Sequence, residues 1–222
     1  MSKNDEVYPC FCSRADIRAS ASAPQGIDIA SEYTGTCRKL SSREVEHRKQ
    51  REPYSLRFNL KPRTITFHDL CYGVQNYKPG KTLGDFIVRR RDGVHAYQLA
   101  VVVDDAMMNI THVLRGSDLL VSAARQIALF HALHWPIPEY AHVPILLGPD
   151  GHRLSKRHGD VSLYALRKAG IAPQQVVGWL GYWAGILPEP FPLNAQELIK
   201  PFSLELIPRH EITIDPKQFV GG

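Results

Sequence analysis

Three cations stand within five residues in the stretch Gly148-Pro149-Asp150-Gly151-His152-Arg153-Leu154-Ser155-Lys156-Arg157-His158-Gly159-Asp160: Arg153, Lys156 and Arg157. The apolar run Val143-Pro144-Ile145-Leu146-Leu147 before it reads as a buried strand. Asp160 reads as the N-cap of a helix over 161–169 that Gly170 stops. A strand that delivers a glycine-bounded, cationic loop is well placed to meet a polyphosphate. A flexible ammonium such as Lys156 can follow negative charge as it develops on phosphoryl oxygens, which is where electrostatic catalysis acts. Charge alone leaves a solvated basic turn equally open.

The second chemical cluster is sulfur. Of the four cysteines, Cys10, Cys12 and Cys37 fall within 28 residues, and Cys71 stands apart. A Cys-x-Cys pair in a tight turn with a third thiolate suits zinc. The fourth ligand is not evident, since no histidine lies between Cys12 and Cys37, and His47 or Cys71 would need a long reach. Small buried cysteines without metal remain the alternative, and Cys71 reads as a packed thiol.

Elements must position these groups, and the chain is long enough to supply them. Its 222 residues, 44% hydrophobic and 22% charged, fit a soluble globular protein with a real core. No run of 18 apolar residues and no apolar leader after Met1 are present, so a cytoplasmic protein without a membrane span is expected. The net charge is +5. Residues 1–91 carry 17 Lys+Arg against 10 Asp+Glu, and residues 92–222 carry 10 against 12, so the N-terminal part is the better polyanion face.

Three regions are expected: a zinc module and basic helix over 1–52, strands and a helix over 53–150, and the cationic loop with a helical region over 151–222. Residues 41–52 read as a charged helix. Alternation marks strands at Tyr54–Phe58 and Thr64–Phe67. Asp85–Arg89 and Tyr97–Val103 read as a hairpin across the turn Arg91-Asp92-Gly93. On that reading Asp104-Asp105 end an apolar strand, a place where paired carboxylates bind Mg²⁺ in many enzymes, although a structural role is favoured. Ile110–Leu114 reads as a strand, and Ser117 as the cap of a helix to about His134. Helices over 161–169 and 173–183 and a short one near Ala195–Lys200 follow.

Arg153-Leu154-Ser155-Lys156 resembles the KMSKS signature loop of class I aminoacyl-tRNA synthetases, in the form common among the glutamyl enzymes. Val7-Tyr8-Pro9-Cys10-Phe11-Cys12-Ser13-Arg14 with Tyr33-Thr34-Gly35-Thr36-Cys37-Arg38 resembles the zinc site of the glutamyl-queuosine tRNA(Asp) synthetases, the short paralogues of bacterial glutamyl-tRNA synthetase. The similarity continues through Asp85–Arg90, Gly93–Asp105 and Ile110–Leu120. It implies an α/β fold: part of a Rossmann-type class I catalytic domain with a zinc-binding insertion and a C-terminal helical segment. It implies structural Zn²⁺ on Cys10, Cys12, Tyr33 and Cys37, and glutamate held by Tyr97 and Arg115. It also implies ATP with Mg²⁺ at Arg153, Leu154, Ser155 and Lys156, with Lys156 catalytic.

The implied reaction is activation of glutamate by ATP and transfer to the queuosine of tRNA(Asp). The family's HIGH signature is not found in the chain, and the similarity covers the C-terminal two-thirds of the family's enzymes. On that ground the chain alone is expected to lack glutamate-dependent ATP–pyrophosphate exchange and to self-associate, although the family is usually monomeric. The alternative is a non-catalytic zinc-containing derivative that binds tRNA or a partner. Nothing resembles a DNA-reading helix-turn-helix or finger.

Overall fold

A computed structural model describes residues 6–13, 15–17, 33, 35–154, 162–215 and 218. From the N-terminus the elements are β1 (Val7–Cys10), α1 (Ser42–Lys49), β2 (Ser55–Phe58), β3 (Ile65–Asp69), β4 (Gly73–Tyr77) and β5 (Phe86–Arg89). The order continues with α2 (Tyr97–Met107), β6 (His112–Gly116), α3 (Leu120–Leu133), β7 (Glu139–Val143) and β8 (Leu146–Leu147). Last come α4 (Leu163–Lys168), α5 (Pro173–Trp183) and β9 (Ile212–Thr213). Strand orders are β1-β2-β5, β4-β3-β7-β6 and β8-β9, so the architecture is mixed α/β. The chain forms two compact units. One takes in the described residues of 1–68, 74–113 and 120–140, the other those of 69–73, 114–119 and 141–222.

In the first unit, β2 shows how alternation builds two environments from one strand. Phe58 and Leu56 face the main core, where Phe58, Leu83, Phe86, Val102, Leu129 and Phe130 are buried. Ser55 and Arg57 point the other way and are also buried. β1 runs antiparallel to β2 with Cys10 opposite Ser55, and Ser55 Oγ donates to the Cys10 carbonyl at 3.2 Å. The far edge of β2 pairs antiparallel with β5, with an irregularity between Leu56 and Arg57. The charged helix expected over 41–52 is α1. Its start is a capping box, with Ser41 Oγ accepting from Glu44 N at 3.3 Å and Glu44 Oε2 accepting from Ser41 N at 2.8 Å.

Tyr97–Val103 is helix, not the second arm of a hairpin. The run Val101-Val102-Val103 favours a strand locally, but the stretch lacks alternation. In helical spacing Leu99, Val102 and Ala106 fall on one side and pack on the core. Burying that side outweighs the few tenths of a kcal/mol that each β-branched residue costs a helix. Asp104 and Asp105 therefore sit within a helix near its C-terminal end rather than at a strand end.

In the second unit, Leu166, Val176, Trp183 and Ile214 form a core from α4, α5 and the tail. Ser162, not Asp160, caps α4, its side chain accepting from Ala165 N at 3.2 Å; Asp160 lies outside the described residues. Gly170 at φ +80° ends that helix region, and Pro173 opens α5. The run 143–147 is broken in two, because Pro144 has no N–H to give a ladder. Its second piece, β8, is partly exposed and pairs in parallel with β9 from the tail. No helix among the described residues is long and apolar enough to cross a membrane.

Candidate functional site

The sulfur cluster grows out of the end of β1. Cys10 closes the strand, Cys12 follows two residues later, and Cys37 rides on a short 3₁₀ turn over Thr36–Lys39. Gly35, at φ +78°, starts that turn in a conformation glycine adopts without steric cost. The three Sγ atoms lie within 4.8 Å of one another, and Cys12 and Cys37 are 3.5 Å apart. A tetrahedral ion with bonds of about 2.3 Å to thiolates needs sulfurs roughly 3.8 Å apart, so the triad fits zinc without rearrangement. Tyr33 Oη is 3.6 Å from Cys10 Sγ and accepts from Cys37 N at 2.9 Å. All four residues singled out from the sequence as one ligand set are thus brought together. Among the described residues no fourth Cys, His, Asp or Glu joins the cluster, and Cys71 is buried with Ala141 and Ile207 instead.

Alternation alone does not reveal Arg57 as part of this site. Arg57 is 2% exposed; its guanidinium donates from Nε to Cys10 Sγ at 3.2 Å and from Nη1 to the Asp85 carbonyl at 2.8 Å, and lies 3.8 Å over the Tyr33 ring. The available signal is a charged residue midway along an apolar strand. The hydrogen bond shared with Cys37 and the nearby Arg57 charge hold the Cys10 thiol down to about 4, against the desolvation of burial. The same shared bond pushes Cys37 up, and burial pushes Cys12 and the Tyr33 phenol up. Arg57 thus favours the thiolate form of Cys10, the form a metal would bind, and fixes its sulfur by a hydrogen bond.

Asp85 ties this module to β5. Its carboxylate accepts from Tyr8 Oη at 2.7 Å, Arg38 Nη1 at 3.0 Å and Leu60 N at 2.9 Å. Beside it opens a cavity of about 640 Å³ lined by Tyr33, Arg38, Asn59, Lys61 and Asp85. A second hollow of about 430 Å³ is lined by Lys49, Arg51, Arg89, Arg90 and Arg91, with Glu52 the one acid among the described lining residues.

Tyr97 and Arg115 fall in different units. Tyr97 opens α2 and is 51% exposed, so it is not a core residue. Arg115 lies on β6 and donates from Nε to His142 Nε2 at 3.1 Å and from Nη2 to the Leu119 carbonyl at 3.3 Å. His142 and Asp69 are both fully buried, with Nδ1 2.6 Å from Asp69 Oδ2. A lone histidine in the apolar stretch Tyr140-Ala141-His142-Val143 is the trace this network leaves in the sequence.

Of the four loop residues implied to meet ATP, Arg153 and Leu154 are described. Arg153 Nη1 donates to Asp118 Oδ2 at 2.6 Å, and Leu154 packs on the Leu166–Trp183 core. Ser155 and Lys156 lie outside the described residues.

Residues 1–200 match the family described as tRNA synthetases class I (E and Q), catalytic domain, and the chain belongs to that family of aminoacyl-tRNA synthetases. It is 51% identical over 210 residues to the glutamyl-Q tRNA(Asp) synthetase of Symbiobacterium thermophilum, covering 94% of this chain and 65% of that protein. To the glutamyl-Q tRNA(Asp) synthetase of Nitratidesulfovibrio vulgaris it is 40% identical over 204 residues, covering 91% of this chain and 63% of the relative. The chain therefore spans just under two thirds of the length of these relatives. Among solved structures, a glutamate tRNA ligase from Elizabethkingia meningosepticum, in complex with its amino acid, superimposes with a TM-score of 0.74 at 26% identity, over 98% of this chain and 49% of that one. The mixed α/β fold is that of the class I catalytic domain.

Proposed function

We propose that this chain takes part in the ATP-dependent activation of glutamate and its transfer to the queuosine of tRNA(Asp). The observation that carries this reading is the 51% identity, along 94% of the chain, with a relative named for that substrate. Arg115, its fork fixed by His142 and Leu119, pairs with the substrate carboxylate, and Tyr97 donates a hydrogen bond to the amino acid. A carboxylate oxygen of glutamate attacks the α-phosphorus of ATP, and pyrophosphate leaves. Arg153 and Lys156 meet the charge on the phosphoryl oxygens in that step, with Leu154 and Ser155 shaping the loop around the nucleotide. ATP arrives with Mg²⁺ as the substrate pair. The glutamyl group then passes to queuosine and AMP leaves.

Cys10, Cys12, Tyr33 and Cys37 would hold Zn²⁺, which supplies a structural cross-link rather than chemistry. The basic hollow beside α1 faces the RNA. The test is glutamate-dependent ATP–pyrophosphate exchange by the zinc-loaded chain fused to the part of the Symbiobacterium relative that lies outside the matched 65%. Exchange that needs glutamate and is lost on Lys156→Ala is expected. No exchange, or exchange indifferent to glutamate, overturns the reading.

A further inference from the structure

Arg115 is the end of a chain of hydrogen bonds that begins at the backbone. Asp69 Oδ1 accepts from Cys71 N at 3.0 Å, Tyr72 N at 2.8 Å and His142 N at 3.2 Å. Three main-chain donors leave that carboxylate one orientation, with Oδ2 set against His142 Nδ1 at 2.6 Å. A guanidinium can only donate, so His142 Nε2, 3.1 Å from Arg115 Nε, presents a lone pair. The imidazole proton is therefore on Nδ1, where the Asp69 carboxylate accepts it. Were the proton on Nε2, its N–H would face the Arg115 Nε–H while the imidazole is fully buried, the unsatisfied arrangement that interiors avoid.

We propose that His142 and Asp69 are positioning residues for Arg115: by fixing the imidazole tautomer they grip the Nε edge and present the guanidinium to a substrate carboxylate in one orientation. This rests on the reading of Arg115 as the glutamate-binding arginine. A bidentate arginine–carboxylate contact is directional, so a fork free to rotate about its last bonds would lose affinity without losing charge. A network that only bound β6, β7 and the 70–72 turn together would leave glutamate affinity unmoved when His142 loses its acceptor. The sequence-level motif is spread over 73 residues, which is why spacing does not show it.

The experiment uses the full 222-residue chain labelled with ¹⁵N in histidine and arginine. Two-bond imidazole correlations in the unmutated protein should place the His142 proton on Nδ1, and Asp69→Asn, whose amide can donate to Nδ1, should move it to Nε2. L-Glutamate is then titrated while the Arg115 Nε–H resonance is followed, with Arg115→Ala measured calorimetrically. Arg115→Ala should weaken glutamate about 10- to 150-fold. His142→Asn keeps a donor near Asp69 but removes the acceptor for Arg115, and should weaken glutamate about 5- to 20-fold. His142→Gln, which can restore an acceptor near the Nε2 position, should come within about threefold of the unmutated chain.

A proton on Nε2 in the unmutated chain overturns the proposal. So does equal glutamate affinity in His142→Asn where Arg115→Ala still loses it, and in that case the glutamate reading of Arg115 survives. If glutamate leaves the Arg115 resonance unmoved, or Arg115→Ala binds it unchanged, both fall together.

Discussion

Asp118 Oδ2 accepts from Arg153 Nη1 at 2.6 Å, so the first cation of the signature loop is held by an acid from the turn after β6. Gly116 makes room for that acid, since a Cβ there would meet Asp118 Oδ1 at 2.6 Å. The pair is partly open to solvent, and such pairs are worth about 0.2–1 kcal/mol. A polyphosphate therefore competes for Arg153 against a weak partner. Asp118→Asn should tighten pyrophosphate binding by up to about fivefold, and Arg153→Ala should weaken it. Calorimetric titration with pyrophosphate decides. Weaker binding in Asp118→Asn would mean that the acid aims Arg153 rather than competing with its ligand.

Zinc retention follows from the thiol geometry. Elemental analysis of the metal-replete chain should find about one zinc per chain, and the double variant Cys10→Ser/Cys12→Ser should lose it. A structural ion worth at least about 2 kcal/mol at this size lowers the melting temperature by roughly 4–8 °C when it is stripped. A zinc-free protein, or a double variant that melts like the unmutated chain, removes the assignment.

Acid stability should turn on Asp69. Burial pushes its carboxyl up, but hydrogen bonds from His142 and from the backbone of Tyr72, His142 and Cys71 outweigh that and hold it below the usual value. With the folded value below the unfolded one, the ionised form adds stability that is fully present above about pH 5. That increment is lost as pH falls through the unfolded and then the folded value. Urea midpoints taken between about pH 7 and about pH 3 should fall more steeply for the unmutated chain than for Asp69→Asn, which starts lower and changes less. Parallel curves would show that Asp69 titrates alike in both states.

The parts legible in the sequence are those set by local rules. The Cys-x-Cys pair at the end of β1, the charged helix opened by Ser41 and Glu44, and the Gly170 and Pro173 punctuation depend on neighbours a few residues away. Tyr97–Val103 misleads because three valines in a row carry a local β preference, while the helix is decided by where Leu99 and Val102 are buried. β9 is illegible because two residues form a strand only when a distant partner, β8, supplies the ladder. Arg57 and His142 stay hidden for a related reason. Each looks like an ordinary strand residue until residues 28 to 73 positions away supply the carbonyl or carboxylate that gives it a role.

The basic hollow beside α1 should govern RNA affinity without governing RNA choice. Lys49 pairs with Glu46 at 2.8 Å and Arg90 with Asp92 at 2.7 Å, but exposed pairs of this kind yield readily to phosphates. Arg91 donates to the Phe11 carbonyl, so its removal would also disturb the thiol module, and it is a poor probe. Arg51 and Arg90 are better. Removing one cation that neutralises an RNA phosphate lowers the slope of log affinity against log salt by roughly 0.7–0.9. Arg51→Ala and Arg90→Ala should each reduce that slope by about this amount, weakening tRNA(Asp) and an unrelated tRNA alike. Lys200→Ala, a surface lysine of the acidic half, should leave both unchanged. Filter binding at several salt concentrations measures this. An unaltered slope in the Arg51→Ala, Arg90→Ala double variant would move the RNA face elsewhere on the chain.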